Sequence, residues 1–200
     1  MNDHLEQVFN LNAPEYELQV VKHLGLIGRV NNSQFRKSNQ QKINAQILHQ
    51  ITGNNLLKIE HTPSGKPYIK NFYPISISHS GNYTALILRK NNHNPIAVDL
   101  EPKTRNIIKG VDYFLSDYEI KHIPREENTL LLNCWCIKET AIKYYDIPDI
   151  DFKNKIQIKP FIISENGIVE VEIDFPVVNT KQLLHVNYRV TKEFVLSWAL

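Results

Sequence analysis

The sequence predicts an α+β fold built as two halves, 1–92 and 93–200. Three observations predict it. Apolar residues recur at helical spacing in two windows, about 38–51 and 129–145, and alternate with polar ones at period two over much of the remainder. The order helices, then antiparallel strands, occurs twice. The polar run Asn91 to Asn94 is the expected seam.

The elements follow in order. Pro14 stands at a first helical position, Leu18, Val21 and Leu24 come next and Gly25 follows, which predicts a short amphipathic helix. A second helix is expected from about Ser38 to Ile51, where Ile43, Ile47, Leu48 and Ile51 share a face and Gly53 closes the pattern. Arg36, Lys37, Lys42 and His49 take its entry and opposite face. Strands are expected at 56–60, 74–79, 83–89 and 95–101, separated by Pro63-Ser64-Gly65, Gly81-Asn82 and the polar run. Helix returns over 116–123 and again from about Thr129 to Tyr145, where Pro148 ends it. Alternation at 156–158, 169–173, 186–190 and 194–198 predicts further strands, with Glu165-Asn166-Gly167 as a hairpin turn.

Composition excludes several function classes. The 42% hydrophobic and 22% charged fractions are ordinary for a globular chain, and 200 residues can bury about 70% of their unfolded surface. With 23 Lys and Arg against 21 Asp and Glu, a net charge of +2 provides no broad field for DNA or an anionic membrane. Any anion must be held by a local site. Cys134 and Cys136, the two cysteines, make neither a disulfide framework nor a four-ligand zinc site, so a reducing cytoplasm is expected. The first residues carry Asp3 and Glu6 without an apolar core, and no run approaches the ~20 apolar residues of a membrane span. Neither a leader nor a membrane partner is expected.

In Pro95-Ile96-Ala97-Val98-Asp99-Leu100-Glu101, strand alternation sends Ile96, Val98 and Leu100 to one face and Ala97, Asp99 and Glu101 to the other. The two acids are then ~6.6 Å apart and repel by about 2.5 kcal/mol at an effective dielectric near 20. A hard divalent cation with oxygen ligands would offset that repulsion. The alternative is an edge strand whose acids face water.

On the helix ending near Tyr145, Leu130, Cys134, Ile137, Ala141 and Tyr144 form the stripe that should be buried. Trp135, Glu139 and Lys143 form a neighbouring row. That row is an ordinary surface Glu-to-Lys pair, or it makes Glu139 a metal ligand or general base and Lys143 a phosphate-binding charge. Ser116-Asp117-Tyr118-Glu119 matches a capping box, which assigns Glu119 to the backbone of Ser116. Cys134 belongs to the core.

Gly65-Lys66-Pro67 presents a lysine from a turn. In Pro74-Ile75-Ser76-Ile77-Ser78-His79-Ser80-Gly81 the three serines share one face and His79 takes the other. His79 is either a satisfied core side chain or, at a strand end, a phosphate contact. No nucleophile-elbow pattern supports a serine hydrolase.

Gly65-Lys66-Pro67, Ile77-Ser78-His79-Ser80-Gly81, Val98-Asp99-Leu100-Glu101, and Trp135-Cys136-Ile137-Lys138-Glu139 with Lys143, in that order, resemble the 4'-phosphopantetheinyl transferase family, specifically its larger, monomeric type. The resemblance runs from about Leu56 to Tyr145. It implies a pseudo-dimer of two α+β halves with coenzyme A and magnesium in the cleft between them. It implies transfer of the phosphopantetheine arm to a serine of an acyl, peptidyl or aryl carrier protein, leaving adenosine 3',5'-bisphosphate. By position, Asp99, Glu101 and Glu139 match the metal ligands, and Glu139 also matches the group that deprotonates the serine. Lys143 matches the lysine on the coenzyme phosphates. Lys66, Ser78 and His79 match residues that grip the coenzyme, which Asp99 also faces. Glu119 matches an acid that follows the family's Phe-Ser turn.

Family members carry an arginine-rich stretch near the amino terminus, where this chain has Arg29, Arg36, Lys37 and Lys42 scattered among Asn and Gln. No contacts are carried onto these. Manganese shares magnesium's preference for oxygen. The alternatives are a non-catalytic module that binds carrier protein or coenzyme A, and a magnesium-dependent phosphodiesterase or nucleotide hydrolase. Nucleic acid ranks last and is not expected as a partner, because the basic residues are dispersed and the acids crowd the one site.

Overall fold

The structure is a computed structural model that describes residues 5–24, 33–147, 149–175 and 180–200. Gly25, Arg29 and Pro148, and the side chain of Arg36, lie outside the described residues. The fold is mixed α+β, and the chain divides into two compact units, Met1–Ile96 and Ala97–Leu200.

In the first unit β1 (Leu5–Asn12), β2 (Tyr16–His23), β6 (Tyr83–Arg89) and β5 (Ile75–Ser80) form an antiparallel sheet in the order β1-β2-β6-β5. The helix α1 (Ser33–Thr52) packs Ile43, Ile47 and Leu48 into a core with Val21, Leu86 and Leu88. It begins earlier than its apolar spacing suggested and ends where expected. Gly53, at φ +66°, adopts the left-handed turn that few other residues tolerate, and its N–H donates to the His49 carbonyl at 2.8 Å. The strand expected at 56–60 is reduced to β3 (Ile59–His61), which pairs with β4 (Pro67–Ile69) as a separate hairpin.

The helix expected after Pro14 is instead strand β2. This strand lies between β1 and β6, and Leu18, Val20 and Val21 are all fully buried. A strand covered on both faces loses its two-residue alternation, so apolar residues at 18, 21 and 24 imitate a helical period. Tertiary pairing overrides that local pattern.

The second unit runs β7 (Ala97–Pro102), α2 (Val111–Phe114), α3 (Asn128–Tyr145), β8 (Ile156–Ile158), β9 (Asn166–Phe175), β10 (Thr180–Val190) and β11 (Phe194–Ala199). Its strands form one antiparallel sheet in the order β7-β11-β10-β9-β8, with α3 packed on one face. Leu130, Cys134, Ile137 and Ala141 of α3 lie in the core with Val171, Val186, Val195 and Ala199, and Tyr144 is partly buried against it. This is the stripe expected from the sequence. Leu131 is buried as well. The helix stops at Tyr145, and Asp146 takes the left-handed position at φ 55°.

Two expectations fail here. The helix over 116–123 is only a single 3-10 turn, Glu119–Lys121. The capping box needs no more than one turn, and Pro124 pushes Ile123 out of helical geometry. Asn166 and Gly167 are not a turn but part of β9, paired with Arg189 and Tyr188. A Cβ on Gly167 would lie 2.8 Å from the Tyr188 ring, so this glycine permits close packing rather than a reversal.

Candidate active site

Strand β7 is an edge strand, yet Asp99 and Glu101 are only 4% and 5% exposed. The reading that they face water is therefore excluded. In the register with β11, Glu101 stands opposite Val195, Asp99 opposite Ser197 and Ala97 opposite Ala199, so the acids point to the face that α3 covers. Thr140 of α3 meets the Ser197 hydroxyl at 2.7 Å, which ties the helix to the strand beside the acids.

The row Trp135, Glu139, Lys143 lies half-buried along the flank of α3. The Lys143 ammonium donates to Asp99 Oδ1 at 2.7 Å and to the Val98 carbonyl at 3.2 Å. Glu101 accepts from the Arg105 guanidinium, which sits over the Trp135 ring at 5.1 Å. Arg105 is the residue that sequence reasoning missed. It lies in a loop, and its place depends on Asn128 at the start of α3, whose amide donates to the Arg105 carbonyl at 2.9 Å and accepts from Ile107 N–H at 3.1 Å. Only its i, i+4 spacing from Glu101 was visible in the sequence.

Charges decide how this group behaves. Burial pushes the Glu139 carboxyl above its ordinary value; Asp99 and Glu101 push it further, while Lys143 and Arg105 oppose them. Burial alone would lower Lys143, but Asp99 and Glu139 outweigh it and hold the ammonium above its usual range. The Cys136 thiol is fully buried and well above a normal thiol, first through burial and then through Asp99 and Glu101. It is not a nucleophile.

Within the second unit Lys143 thus pairs with Asp99, and Glu139 lies within electrostatic reach of Asp99, Glu101 and Lys143. Three carboxylates that sense one another's charge are an all-oxygen donor set, which is chemistry suited to magnesium or manganese. Among the described residues, however, no three His, Cys, Asp or Glu side chains are grouped closely enough to hold a metal. Two of the three carboxylates are engaged in ion pairs, Asp99 with Lys143 and Glu101 with Arg105.

The other expected residues lie in the first unit. Ser78 and His79 are neighbours on β5, and Lys66 ends the turn between β3 and β4. Gly65 at φ +89° makes that turn, and the Lys66 N–H donates to the Thr62 hydroxyl at 3.1 Å. Lys66 lines a cleft of about 270 Å³ with Phe72, Tyr73 and His93. Ser78 is buried. His79 Nδ1 meets the Thr84 hydroxyl at 2.9 Å, and His23 Nε2 meets the same oxygen at 2.8 Å. That hydroxyl has one proton, so at least one of the two imidazoles donates to it.

Glu119 keeps its capping role. Its Oε2 accepts from the Ser116 N–H and hydroxyl at 2.8 and 2.9 Å, and the Ser116 hydroxyl accepts from Glu119 N–H at 3.3 Å.

No protein-family model matches the chain. A Haemophilus influenzae protein named "Putative 4'-phosphopantetheinyl transferase" is 28% identical over 151 residues, covering 70% of this chain and 64% of that protein. The resemblance is to the 4'-phosphopantetheinyl transferase family. The 151 matched residues outrun the stretch from Leu56 to Tyr145 that carries the motifs, so likeness to these transferases is not confined to the motifs. The chain spans just under two thirds of that relative's length. Among the described residues no helix is long and apolar enough to cross a membrane.

Proposed function

We propose that this protein transfers the 4'-phosphopantetheine arm of coenzyme A to a serine of an acyl or peptidyl carrier protein. It does so with magnesium, or manganese on the same oxygen ligands, as a monomeric pseudo-dimer of two α+β halves, 1–92 and 93–200, in the cytoplasm. One observation supports the reading: Lys143 of α3 pairs with Asp99 of β7, and Glu139 on the same row of α3 lies within electrostatic reach of Asp99 and Glu101.

Asp99, Glu101 and Glu139 are the residues proposed to hold the cation. When bound, the cation neutralises charge on the diphosphate oxygens. Each side chain's own part can be stated. Glu139 takes the proton of the carrier's serine, directly or through a water. The serine oxygen then bonds to the phosphorus that bears the pantetheine arm, and the bond from that phosphorus to the oxygen of adenosine 3',5'-bisphosphate breaks. Lys143 meets the charge that develops on the departing phosphate. Its hold on Asp99 keeps the ammonium half-buried and protonated. Lys66, Ser78 and His79 bind the coenzyme.

A non-catalytic module binding carrier protein or coenzyme A is the second reading. The ion pairs that occupy Asp99 and Glu101 favour it. Incubating apo-carrier proteins with coenzyme A, magnesium and this protein separates the readings. A mass gain of one phosphopantetheine arm is expected, and binding without any gain across a carrier panel would leave only the module. Coenzyme A cleavage without a carrier would indicate a phosphodiesterase.

A further inference from the structure

Lys138 follows Ile137 in the α3 motif and has no part in the chemistry above. It is fully buried, and so is Glu119. Its ammonium donates to Glu119 Oε2 at 2.9 Å, to the Phe114 carbonyl at 2.6 Å and to the Phe152 carbonyl at 3.2 Å. Glu119 in turn accepts from Ser116 through Oε2 and from the Ile158 N–H through Oε1 at 2.8 Å. One cation thus joins α3 to the end of α2, the turn at 119–121 and the loop before β8.

We propose that the buried Glu119–Lys138 pair is a positioning device that fixes the rotation of α3 about its own axis and thereby aims Glu139 and Lys143 at Asp99 and Glu101. The inference rests on the transferase reading for its kinetic consequence, but not for its structural one.

The apolar stripe alone is a less specific rotational lock, since apolar burial is non-directional. Three directional hydrogen bonds from one ammonium are a good one. Successive helical residues project 100° apart, so a Lys138 held inward sets where the adjacent Glu139 points. A carboxyl lies about 6 to 7 Å from the helix axis, so a 20° turn moves it by roughly 2 Å. Misplacement by an ångström costs on the order of 100-fold in rate. Trp135 shares the row with Glu139, and its ring packs on Phe114 at 5.5 Å and on Phe152 at 5.1 Å, the residues whose carbonyls Lys138 holds. It is a built-in reporter of the rotation.

The test uses the double variant Glu119→Gln/Lys138→Met, which removes both charges with little change of volume. Fluorotryptophan labelling, with Trp198→Phe to assign the two signals, reads the Trp135 environment. Carrier loading is measured across coenzyme and magnesium concentrations. The expected result is a folded protein with a shifted Trp135 resonance. Its kcat should fall about 100-fold and need more magnesium for half-saturation, with KM for coenzyme A nearly unchanged. Parental kcat, parental magnesium dependence and an unmoved Trp135 resonance in a folded double variant overturn the proposal. Should that variant not fold, Lys138→Arg keeps the charge but changes the donor geometry, and the same three readouts decide. A parent that loads no carrier defeats the transferase reading while the Trp135 signal still tests the rotation.

Discussion

Replacing Glu139 by glutamine is expected to make the fold more stable at neutral pH while abolishing transfer. The substitution keeps the shape of the side chain and removes its charge. Asp99, Glu101 and Glu139 face Lys143 and Arg105, three acids against two bases, and the variant leaves two against two. The native carboxyl holds its proton more tightly than the unfolded chain does. Between the unfolded value near 4.5 and the raised native value the native state therefore carries more protons, and its stability falls as pH rises through that window. Each unit by which the carboxyl is raised costs about 1.4 kcal/mol at neutral pH, and glutamine escapes that cost. A gain of 1 kcal/mol would raise Tm by about 2 to 4 °C in a chain of this size. Urea unfolding of parent and variant from pH 4 to 8 reads the effect. The advantage of the variant should be absent at the acid end and complete above the native pKa. Magnesium at 100 times its dissociation constant should stabilise the parent by about 2.7 kcal/mol and the variant by less. A variant less stable than the parent at pH 7, or a difference that does not change with pH, would refute the electrostatic argument. Equal stabilisation of both proteins by magnesium would remove Glu139 from the metal ligands.

The remaining predictions concern the other side chains. Lys143→Met strands Asp99 at 4% exposure without its ammonium, so a loss of about 2 kcal/mol is expected in urea unfolding along with loss of carrier loading; parental stability would show that the ion pair contributes nothing. Lys138→Met alone leaves the Glu119 charge buried without its cation and should cost about 3 to 5 kcal/mol, most of it recovered when Glu119→Gln is added, and a double variant as unstable as the single one would contradict this. Lys66→Ala should raise KM for coenzyme A about tenfold with kcat and Tm unchanged, because the turn that carries Lys66 is held through backbone and Thr62 contacts; a fall in kcat at constant KM would assign Lys66 a different role.

Sequence alone was sufficient for features set within a few turns or along one strand. The apolar stripe of α3, the glycine stop at Gly53, the capping box of Ser116 and Glu119, and the shared face of Asp99 and Glu101 follow from periods of 3.6 and 2 and from local hydrogen bonding. The order of four short motifs was also legible, and with it the family resemblance. Burial on both faces defeated the same periodicities in β2, where Leu18, Val20 and Val21 are all covered and the alternation is lost. Partners distant in the chain were decided only by tertiary structure. Lys143 on Asp99 and Lys138 on Glu119 each require a helix, turn or strand to be set in place first, and Arg105, though only four residues from Glu101, depends on Asn128 of α3 to hold its loop. Charge pairing acts through space, and a linear pattern of residue types carries no record of which acid a lysine will meet.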